Sequence, residues 1–329
     1  MQAGIKQKRD IFLTLLDKIT AYKLDEPMKK HTSFLCGGKA AVYAACEKPY
    51  IAASALYLAK LFNMPYAVLG RGSNVLFSDK GFNGLVLHLK GDSVSAKGDA
   101  LYAFAGTKLS FISNRAKDLS LTGLEFAHGI PGSVGGAVYM NAGCFGSSIS
   151  DALEFAECID IKALKCAENI NEAKKLAEAF INKETPLPIH KYLNKELNFS
   201  YRNSLVKEQN LLVLNAAFTL KKGNKEAIEN TMREMLNKRR SSQPLEYPNA
   251  GSFFKRPKDN FAGALIEQAG LKGLSIGGAK VSEKHAGFII NTGGAAAEDI
   301  FRLSKEVQDR VYAKFNVLLE PEVEFIGFE

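Results

Sequence analysis

The sequence predicts a mixed α and β protein of two or three domains, arranged around a backbone-lined ligand cradle. Three observations carry that expectation. A chain of 329 residues is long for one hydrophobic core. A strand over residues 40–45, a helix over about 50–62 and a strand over 64–69 follow one another at the spacing of an α/β unit. The stretch 122–146, TGLEFAHGIPGSVGGAVYMNAGCFG, holds seven glycines: Gly123, Gly129, Gly132, Gly135, Gly136, Gly143 and Gly146. Glycine lets another group approach the backbone closely, and such density weakens a core helix or strand. The stretch therefore reads as a cradle for a bulky ligand, with Ser133, Ala137, Ala142 and Ser147 keeping its surface open. The alternative is a loop that serves chain geometry alone. No Gly-Lys-Ser/Thr follows, so it is not a phosphate-binding P-loop. The run from Gly129 to Gly136 lacks the dinucleotide-fingerprint spacing, and Pro131 suits a turn rather than a strand-to-helix junction.

The remaining elements follow from periodicity and punctuation. Residues 11–19 carry apolar side chains at helical spacing. Gly37-Gly38 marks a turn. The strand over 64–69 runs into Gly70-Arg71-Gly72-Ser73-Asn74, where glycines at a strand end suit close approach of a phosphate to main-chain N–H donors. Residues 79–84 read as a turn, and 85–89 and 101–105 as strands. Thr107 is a candidate cap for a helix running to about residue 119. Beyond the cradle, strands are expected over 158–163 and 211–220, and a polar helix over 171–183. Residues 225–240 place Ile228, Met232, Met235 and Leu236 on one helical face. Asn249 to Pro257 form a second glycine-and-serine turn beside basic residues. A short helix over about 261–269, a strand over 288–292, an amphipathic helix over 298–314 through Ile300, Leu303, Val307 and Val311, and a strand over 317–325 close the chain.

Composition narrows the function classes. Hydrophobic content of 46% and charged content of 24% suit a soluble globular protein, and there is no apolar run of transmembrane length. The basic-then-apolar N-terminus is interrupted by Asp10 and Asp17, which favours an amphipathic helix over a signal peptide. Five cysteines without a CxxC pair argue against a disulfide framework or zinc site and for a reducing cytoplasm. No metal is expected. The net charge of +8 admits nucleic-acid binding. The lysines are scattered, however, and the one dense run is Lys238-Arg239-Arg240. A site for an anionic small molecule accounts for the charge better.

Six motifs occur in one order: Gly70-Arg71-Gly72-Ser73-Asn74; Gly129-Ile130-Pro131-Gly132-Ser133-Val134-Gly135-Gly136; Asn141-Ala142-Gly143; Tyr201-Arg202-Asn203-Ser204; Gly251-Ser252-Phe253-Phe254-Lys255; and Leu319-Glu320-Pro321-Glu322-Val323. Each alone is moderately specific; the ordered set, spanning about residues 31–327, closely resembles the UDP-N-acetylenolpyruvoylglucosamine reductases of bacterial peptidoglycan precursor synthesis. The resemblance implies an α+β, two-subdomain FAD-binding fold of the vanillyl-alcohol-oxidase (PCMH) type, followed by a C-terminal α+β substrate-binding domain. It places the first subdomain at residues 1–63 with the returning segment 317–329, the second at 64–222 and the substrate domain at 223–316. It also implies the reaction: NADPH reduces FAD, and the reduced flavin delivers hydride to UDP-N-acetylglucosamine enolpyruvate, giving UDP-N-acetylmuramate.

Site residues follow by the same resemblance. Non-covalent FAD is expected at Gly70, Arg71, Gly72, Ser73 and Asn74, and at Gly129, Ile130, Pro131, Gly132, Ser133, Gly135, Gly136, Asn141 and Gly143, with Thr32 and Ser33 as further contacts. Arg202 and Glu322 are assigned to the substrate carboxylate and Ser252 to proton donation. Hydride addition to an enol ether builds negative charge on that carboxylate and leaves an α-carbon in need of a proton. Arginine is permanently charged and forks onto a carboxylate. Glu322 would repel it unless protonated. From the residues alone, a surface salt bridge for Arg202, an edge-strand acid for Glu322 and a turn serine for Ser252 remain open. Tyr201 is a substrate candidate, and Lys238, Arg239, Lys255 and Arg256 are candidates for UDP by charge. His285 is expected to be structural or to touch substrate.

Two features depart from the wider family. Seven residues separate Ser204 from Leu212, leaving no room for the insertion that carries a substrate-clamping tyrosine in one subgroup. Residues 165–195 are longer than the resemblance leads one to expect and have no assigned function. A monomer in the cytoplasm is expected, with no nucleic-acid partner and no membrane insertion. The competing reading is an oxidase or dehydrogenase of a small alcohol on the same fold, for which His128 offers a point of flavin attachment.

Overall fold

The computed structural model describes residues 2–164, 166–182 and 186–328. The parts of the 165–195 extension and of the helix expected over 171–183 that fall on residue 165 and residues 183–185 lie outside the described residues. The chain divides into two compact units, one comprising the described residues of Met1–Leu24, Val42–Arg71 and Gly84–Met235, the other Asp25–Ala41, Gly72–Asn83 and Leu236–Glu329.

The first unit opens with helix α1 (Gln2–Asp17), which buries Phe12, Leu15 and Leu16. Helix α2 (Pro49–Leu61) starts on a proline, whose fixed φ suits a first helical turn. It is buried almost all round through Ala52, Ala53, Ala55, Leu56, Leu58 and Ala59, which makes it a core helix rather than a surface one. Tyr66–Leu69 runs parallel to Phe82–Leu89, with Leu69 opposite His88. These two strands belong to a four-stranded sheet ordered Tyr22–Pro27, Lys39–Cys46, Phe82–Leu89, Tyr66–Leu69. Helix α3 (Leu109–Asp118) and helix α4 (Val134–Met140) follow. Helix α5 (Ile170–Ile181) is capped by the Asn169 side chain, which accepts from Glu172 N at 3.0 Å. It packs Phe180 edge-on against Tyr57, ring centroids 4.9 Å apart.

An antiparallel five-stranded sheet in the order Ile189–Leu193, Leu153–Asp160, Leu211–Thr219, Ala100–Phe104, Val94–Lys97 forms the rest of this unit's framework. Its central strand Leu211–Thr219 is apolar on both faces and nearly wholly buried. Helix α6 (Leu205–Gln209) immediately precedes that strand, and helix α7 (Lys225–Ser242) follows it, burying Ile228 and Met232.

In the second unit, helix α8 (Ala262–Gln268) leads into a small antiparallel sheet of Ser275–Ile276, Ala279–Val281 and Ile289–Asn291. Helix α9 (Ala297–Phe315) buries Ile300, Leu303, Val307 and Val311 completely, the face its periodicity predicts. Its free N–H groups are taken by acids: Asp79 accepts from Ala297 N at 3.0 Å and Glu298 N at 2.9 Å, and Asp299 from Ala296 N at 3.0 Å. Val75–Phe77 pairs in parallel with Glu324–Ile326. Phe34, Phe253, Leu265, Ile300 and Leu303 belong to this unit's core.

Three expectations need correction. The stretch 317–325 is irregular until the strand Glu324–Ile326 begins. Pro321 has no N–H to offer a ladder and makes an isolated bridge to Phe254, while Gln308 Nε2 donates to Leu319 O at 2.6 Å. Thr107 does not cap α3: its hydroxyl donates to Ser93 O at 3.0 Å, and Lys108 stands at the cap position without a side-chain bond to the helix. The turn expected over 79–84 gives way to strand at Phe82. Strands Tyr22–Pro27, Val94–Lys97 and Ile189–Leu193 escape prediction because they are mostly exposed and polar, leaving no alternation to detect.

Candidate active site

The glycine-rich stretch is a folded element rather than an open loop. Glu125–Gly129 forms a 3-10 turn, and α4 begins at Val134 despite Gly135 and Gly136. Packing explains why glycine is tolerated there: a Cβ on Gly135 would lie 2.9 Å from Ala105 Cβ. Ser133 caps α4, accepting from Gly136 N at 3.3 Å. The N–H groups of Val134 and Gly135 donate to Thr107 O and Ala105 O, both at 2.8 Å, so part of the expected row of main-chain donors is used by the fold itself. Ser133 and Ala137 are buried and face inward, which corrects the expectation that they keep a surface open. A Cβ on Gly70 would run into Ser133 Oγ, so the end of strand Tyr66–Leu69 reaches the α4 cap only because residue 70 has no side chain.

α4 ends on Asn141 in the left-handed conformation, φ 43°, which asparagine adopts more readily than most residues. Its side chain joins a near and a distant segment, accepting at Oδ1 from Ser150 N at 3.1 Å and donating through Nδ2 to Ser200 O at 3.1 Å. Ser204, fully buried, donates to Tyr139 O at 2.8 Å and also caps α6. Between these anchors Ser200 and Asn203 bond to each other across a tight turn. Arg202 is held within it at φ 56°, a strained conformation for a residue with a side chain. Its guanidinium donates from Nη2 to Gly143 O at 3.4 Å and lies over the Tyr201 ring, 5.0 Å from the centroid. Four predicted residues, Asn141, Gly143, Tyr201 and Arg202, thus meet across 59 residues of chain.

A charged rim lies in the same unit. Asp92 accepts from the Lys108 main-chain N–H and ammonium, each at 2.9 Å. Burial works against its charge, but Lys108 and Arg71 outweigh it and hold the carboxyl below the usual carboxylate range. Arg71 itself is exposed. His128, in the 3-10 turn, is kept neutral to lower pH than an ordinary histidine by burial and then by Lys117, and its Nδ1 is buried without a hydrogen-bond partner.

In the second unit Gly72, at φ 62°, packs so tightly on His31 O that no side chain would fit. Its carbonyl accepts from Ser33 N at 2.9 Å, and Ser33 Oγ is buried with no partner. Thr32 is occupied in a turn, donating to Cys36 O at 3.1 Å. Among the described residues, no hydrogen bond is donated by the main-chain N–H of Gly70, Arg71, Gly72 or Ser73. Spare N–H groups on a glycine-rich turn and an orphaned buried hydroxyl beside it fit a phosphate-bearing group such as FAD.

Ser252 is exposed, and its neighbour Phe253 is fully buried and bonded on both sides. Phe253 N donates to Gly287 O at 2.8 Å, and Glu322 N donates to Phe253 O at 2.8 Å. Ser252 and Glu322 are therefore on adjoining main-chain segments, with the half-buried Glu322 tied in turn to Asn74, whose Nδ2 donates to Glu322 O at 3.0 Å. His285 accepts Gly287 N at Nδ1 over 3.1 Å and stacks edge-on against Phe288, centroids 4.9 Å apart, which gives it a structural use beneath the Ser252 segment. Burial, followed by Lys272, lowers its proton affinity. Lys255 is paired with Glu320 at 3.1 Å, Arg256 lies over Phe261, 4.6 Å from the centroid, and Lys238 projects from the end of α7. Arg239, beside it, is half-buried.

Residues 40–163 match the family model described as FAD binding domain, and residues 243–326 that described as UDP-N-acetylenolpyruvoylglucosamine reductase, C-terminal domain. The reductase of that name from Caldicellulosiruptor bescii is 47% identical over 308 residues, covering 92% of this chain and 90% of its own. The chain belongs to the UDP-N-acetylenolpyruvoylglucosamine reductases. The family member from Caldanaerobacter subterraneus subsp. tengcongensis is 44% identical over 305 residues, covering 92% of this chain and 93% of its own. The crystal structure of the Thermus caldophilus reductase superposes with a TM-score of 0.73 at 33% identity, covering 93% of this chain and 98% of that one. The FAD-binding fold with a C-terminal reductase domain is thus the one its motifs imply, and the protein is an FAD-dependent oxidoreductase. The first match contains Gly70–Asn74 and the cradle; the second contains Ser252, Lys255, Arg256 and Glu322.

The sequence picked out Asn141 and the motif containing Ser204, but not the hydrogen bonds by which they hold the site together. Ser204 and Asn141 act by hydrogen-bonding main-chain carbonyls, which no residue pattern announces, and Asp92 gives no sign in sequence of its two bonds to Lys108.

Proposed function

We propose that this chain reduces UDP-N-acetylglucosamine enolpyruvate to UDP-N-acetylmuramate at the expense of NADPH, in the supply of peptidoglycan precursors. The observation that carries the reading is the 47% identity to a reductase of that name along 92% of the chain. Hydride exchange, from NADPH and to the vinyl carbon, is the chemistry that FAD supplies when bound. Gly70 to Ser73 offer main-chain donors to its phosphates and Ser33 a hydroxyl; the tight glycine contacts at Gly70 and Gly72 hold those segments in place.

The chain's own residues manage charge and proton. Arg202, fixed by the Ser200–Asn203 turn, forks onto the substrate carboxylate and stabilises the negative charge that builds there. Glu322 is assigned to that carboxylate by the family resemblance, and there it would have to be protonated in order to donate rather than repel. Ser252, exposed on a segment whose next residue is locked into the core, gives a proton to the α-carbon, with water as its source of replacement. Lys238, Arg239, Lys255, Arg256 and Tyr201 are the proposed contacts to the sugar nucleotide. We take the compartment to be the cytoplasm, where a UDP-sugar and NADPH are at hand. We take the working unit to be the monomer. Among the described residues, no helix is long and apolar enough to cross a membrane.

The deciding experiment combines a spectrum with two half-reactions. The purified protein, reconstituted with FAD, is expected to show flavin absorbance that bleaches with anaerobic NADPH and returns with the enolpyruvyl sugar nucleotide. Ser252→Ala should leave the bleaching intact and slow the return by about 10³-fold. Failure of the sugar nucleotide to restore the colour sinks the substrate assignment; equal slowing of both steps sinks the role of Ser252.

A further inference from the structure

By its place in the Gly70–Asn74 run, Asn74 reads as a cofactor residue, yet its side chain is used elsewhere. Nδ2 donates to the main-chain carbonyl of Glu322 at 3.0 Å, across 248 residues of sequence. The main chain of Asn74 makes a second tie, accepting from Glu324 N at 3.0 Å. Immediately after it, Val75 pairs with Glu324 at the head of the parallel strand pair. The two carbonyl-directed bonds bracket residues 322–324, so Glu322 stands just outside the regular ladder, with the Asn74 side chain holding its carbonyl. On its other side Glu322 N donates to Phe253 O at 2.8 Å, one residue from Ser252. One amide thus sits at the head of a chain of contacts running from the glycine turn through Glu322 to the segment that carries Ser252.

One N–H of the amide is committed to the Glu322 carbonyl, while its second N–H and Oδ1 keep their own directions. Residue 322 also needs such a tether. Pro321 precedes it without an N–H, and the ladder begins only at residue 324. Without the Asn74 bond, nothing in the strand pairing sets the rotation of the peptide that follows the Glu322 side chain. From this geometry we propose that Asn74 is a positioning residue for Glu322, acting on the substrate half of the reaction through that carboxyl group. The inference rests on the assignment of Glu322 to substrate made above. It means that the turn read as phosphate-binding is mechanically joined to the proton-handling segment, so one structural unit sets both.

The test uses the FAD-loaded full chain in stopped flow, together with titration of apoprotein by FAD followed through flavin fluorescence. Asn74→Ala is expected to slow reoxidation by UDP-N-acetylglucosamine enolpyruvate about tenfold, and to leave bleaching by NADPH within about twofold, the scale of one lost positioning hydrogen bond. The FAD dissociation constant should stay within about threefold. Asn74→Ser, which keeps a short donor, should recover part of the rate, whereas Asn74→Asp, which offers no donor when ionised, should not. The decisive arm is a double-mutant cycle. If Asn74 acts through Glu322, Asn74→Ala adds less than about twofold to the defect of Glu322→Gln. A tenfold weaker FAD affinity with normal half-reactions at saturation would show a flavin ligand and overturn the proposal, as would full additivity with Glu322→Gln or equal slowing of both half-reactions. Should Asn74→Ala fail to hold FAD because it does not fold, as thermal melting of the apoprotein would reveal, Asn74→Ser and Asn74→Asp carry the same comparison. Failure of the underlying reading looks different: wild-type enzyme that turns over while Glu322→Gln is unimpaired removes the role of Glu322, and wild-type enzyme inert to the sugar nucleotide removes the substrate.

Discussion

The turn that carries Arg202 and the segments that carry Ser252 and Glu322 are built in opposite ways. Around Arg202 the fixing is done by side chains: Asn141 and Ser204 each clamp a carbonyl on a neighbouring segment, and the arginine backbone is held in a conformation that arginine disfavours. Around Ser252 and Glu322 the fixing is done mainly by main chain, through Phe253 bonded on both flanks and buried against Phe34 and Phe325. The first arrangement locks one guanidinium in one place. The second leaves a serine and a glutamate on stretches without regular structure. A group that must fork onto a carboxylate gains from rigid aim. A proton donor that must be resupplied by water gains from an exposed, irregular seat.

The sharpest way to break this contrast is Arg202→Lys, which keeps the charge but loses the fork and the stacking on Tyr201. We expect kcat/KM for the enolpyruvyl substrate to fall about 10²- to 10³-fold; a change under threefold would mean that point charge alone suffices and that the rigid turn has no catalytic purpose. Asn141→Ala comes next. It removes two hydrogen bonds and places alanine at φ 43°, and about 2–4 kcal/mol of unfolding free energy should disappear in urea titration. A loss below about 0.5 kcal/mol would show that Arg202's turn stands without its clamp.

A smaller effect probes the other side. His285 has its proton affinity lowered in the folded state, mainly by burial. The unfolded chain therefore takes up the proton first, near pH 6.5, and stability present above that pH is lost as the pH falls towards the folded value. The urea midpoint should decline from pH 7 to pH 5, with a slope from this one group of at most about 1.4 kcal/mol per pH unit, and His285→Gln should flatten it. An unchanged slope would remove His285 from the support of the Ser252 segment. Smallest of all is Glu320→Gln. Its bridge to Lys255 is exposed, so melting should shift by less than about 0.5 kcal/mol, while any rise in affinity for the sugar nucleotide would mark Lys255 as a substrate contact held back by its partner.

The periodic and punctuated parts of the chain are legible in the residues themselves. Ile300, Leu303, Val307 and Val311 recur at helical spacing, and they are the buried face of α9. The apolar run at 211–220 becomes the central strand Leu211–Thr219. Arg202, Ser252 and Glu322 stand in ordered motifs, and the roles proposed for them come from the family those motifs resemble rather than from the residue types themselves. Everything the residue order settles in this way is local: helix faces, glycine turns and the inventory of reactive side chains, since each depends on residues within a few positions of one another. Which carbonyl each polar anchor meets is settled by the folded chain instead. Folding allows α4 to form through two glycines because Ala105 fills the space beside Gly135, leaves 317–323 irregular around Pro321, and sends the Asn74 amide to Glu322. The first and last of these depend on contacts between residues 30 and 248 positions apart. A hydrogen bond to a main-chain carbonyl requires no particular residue on the accepting side, so it leaves no trace in the pattern of side chains.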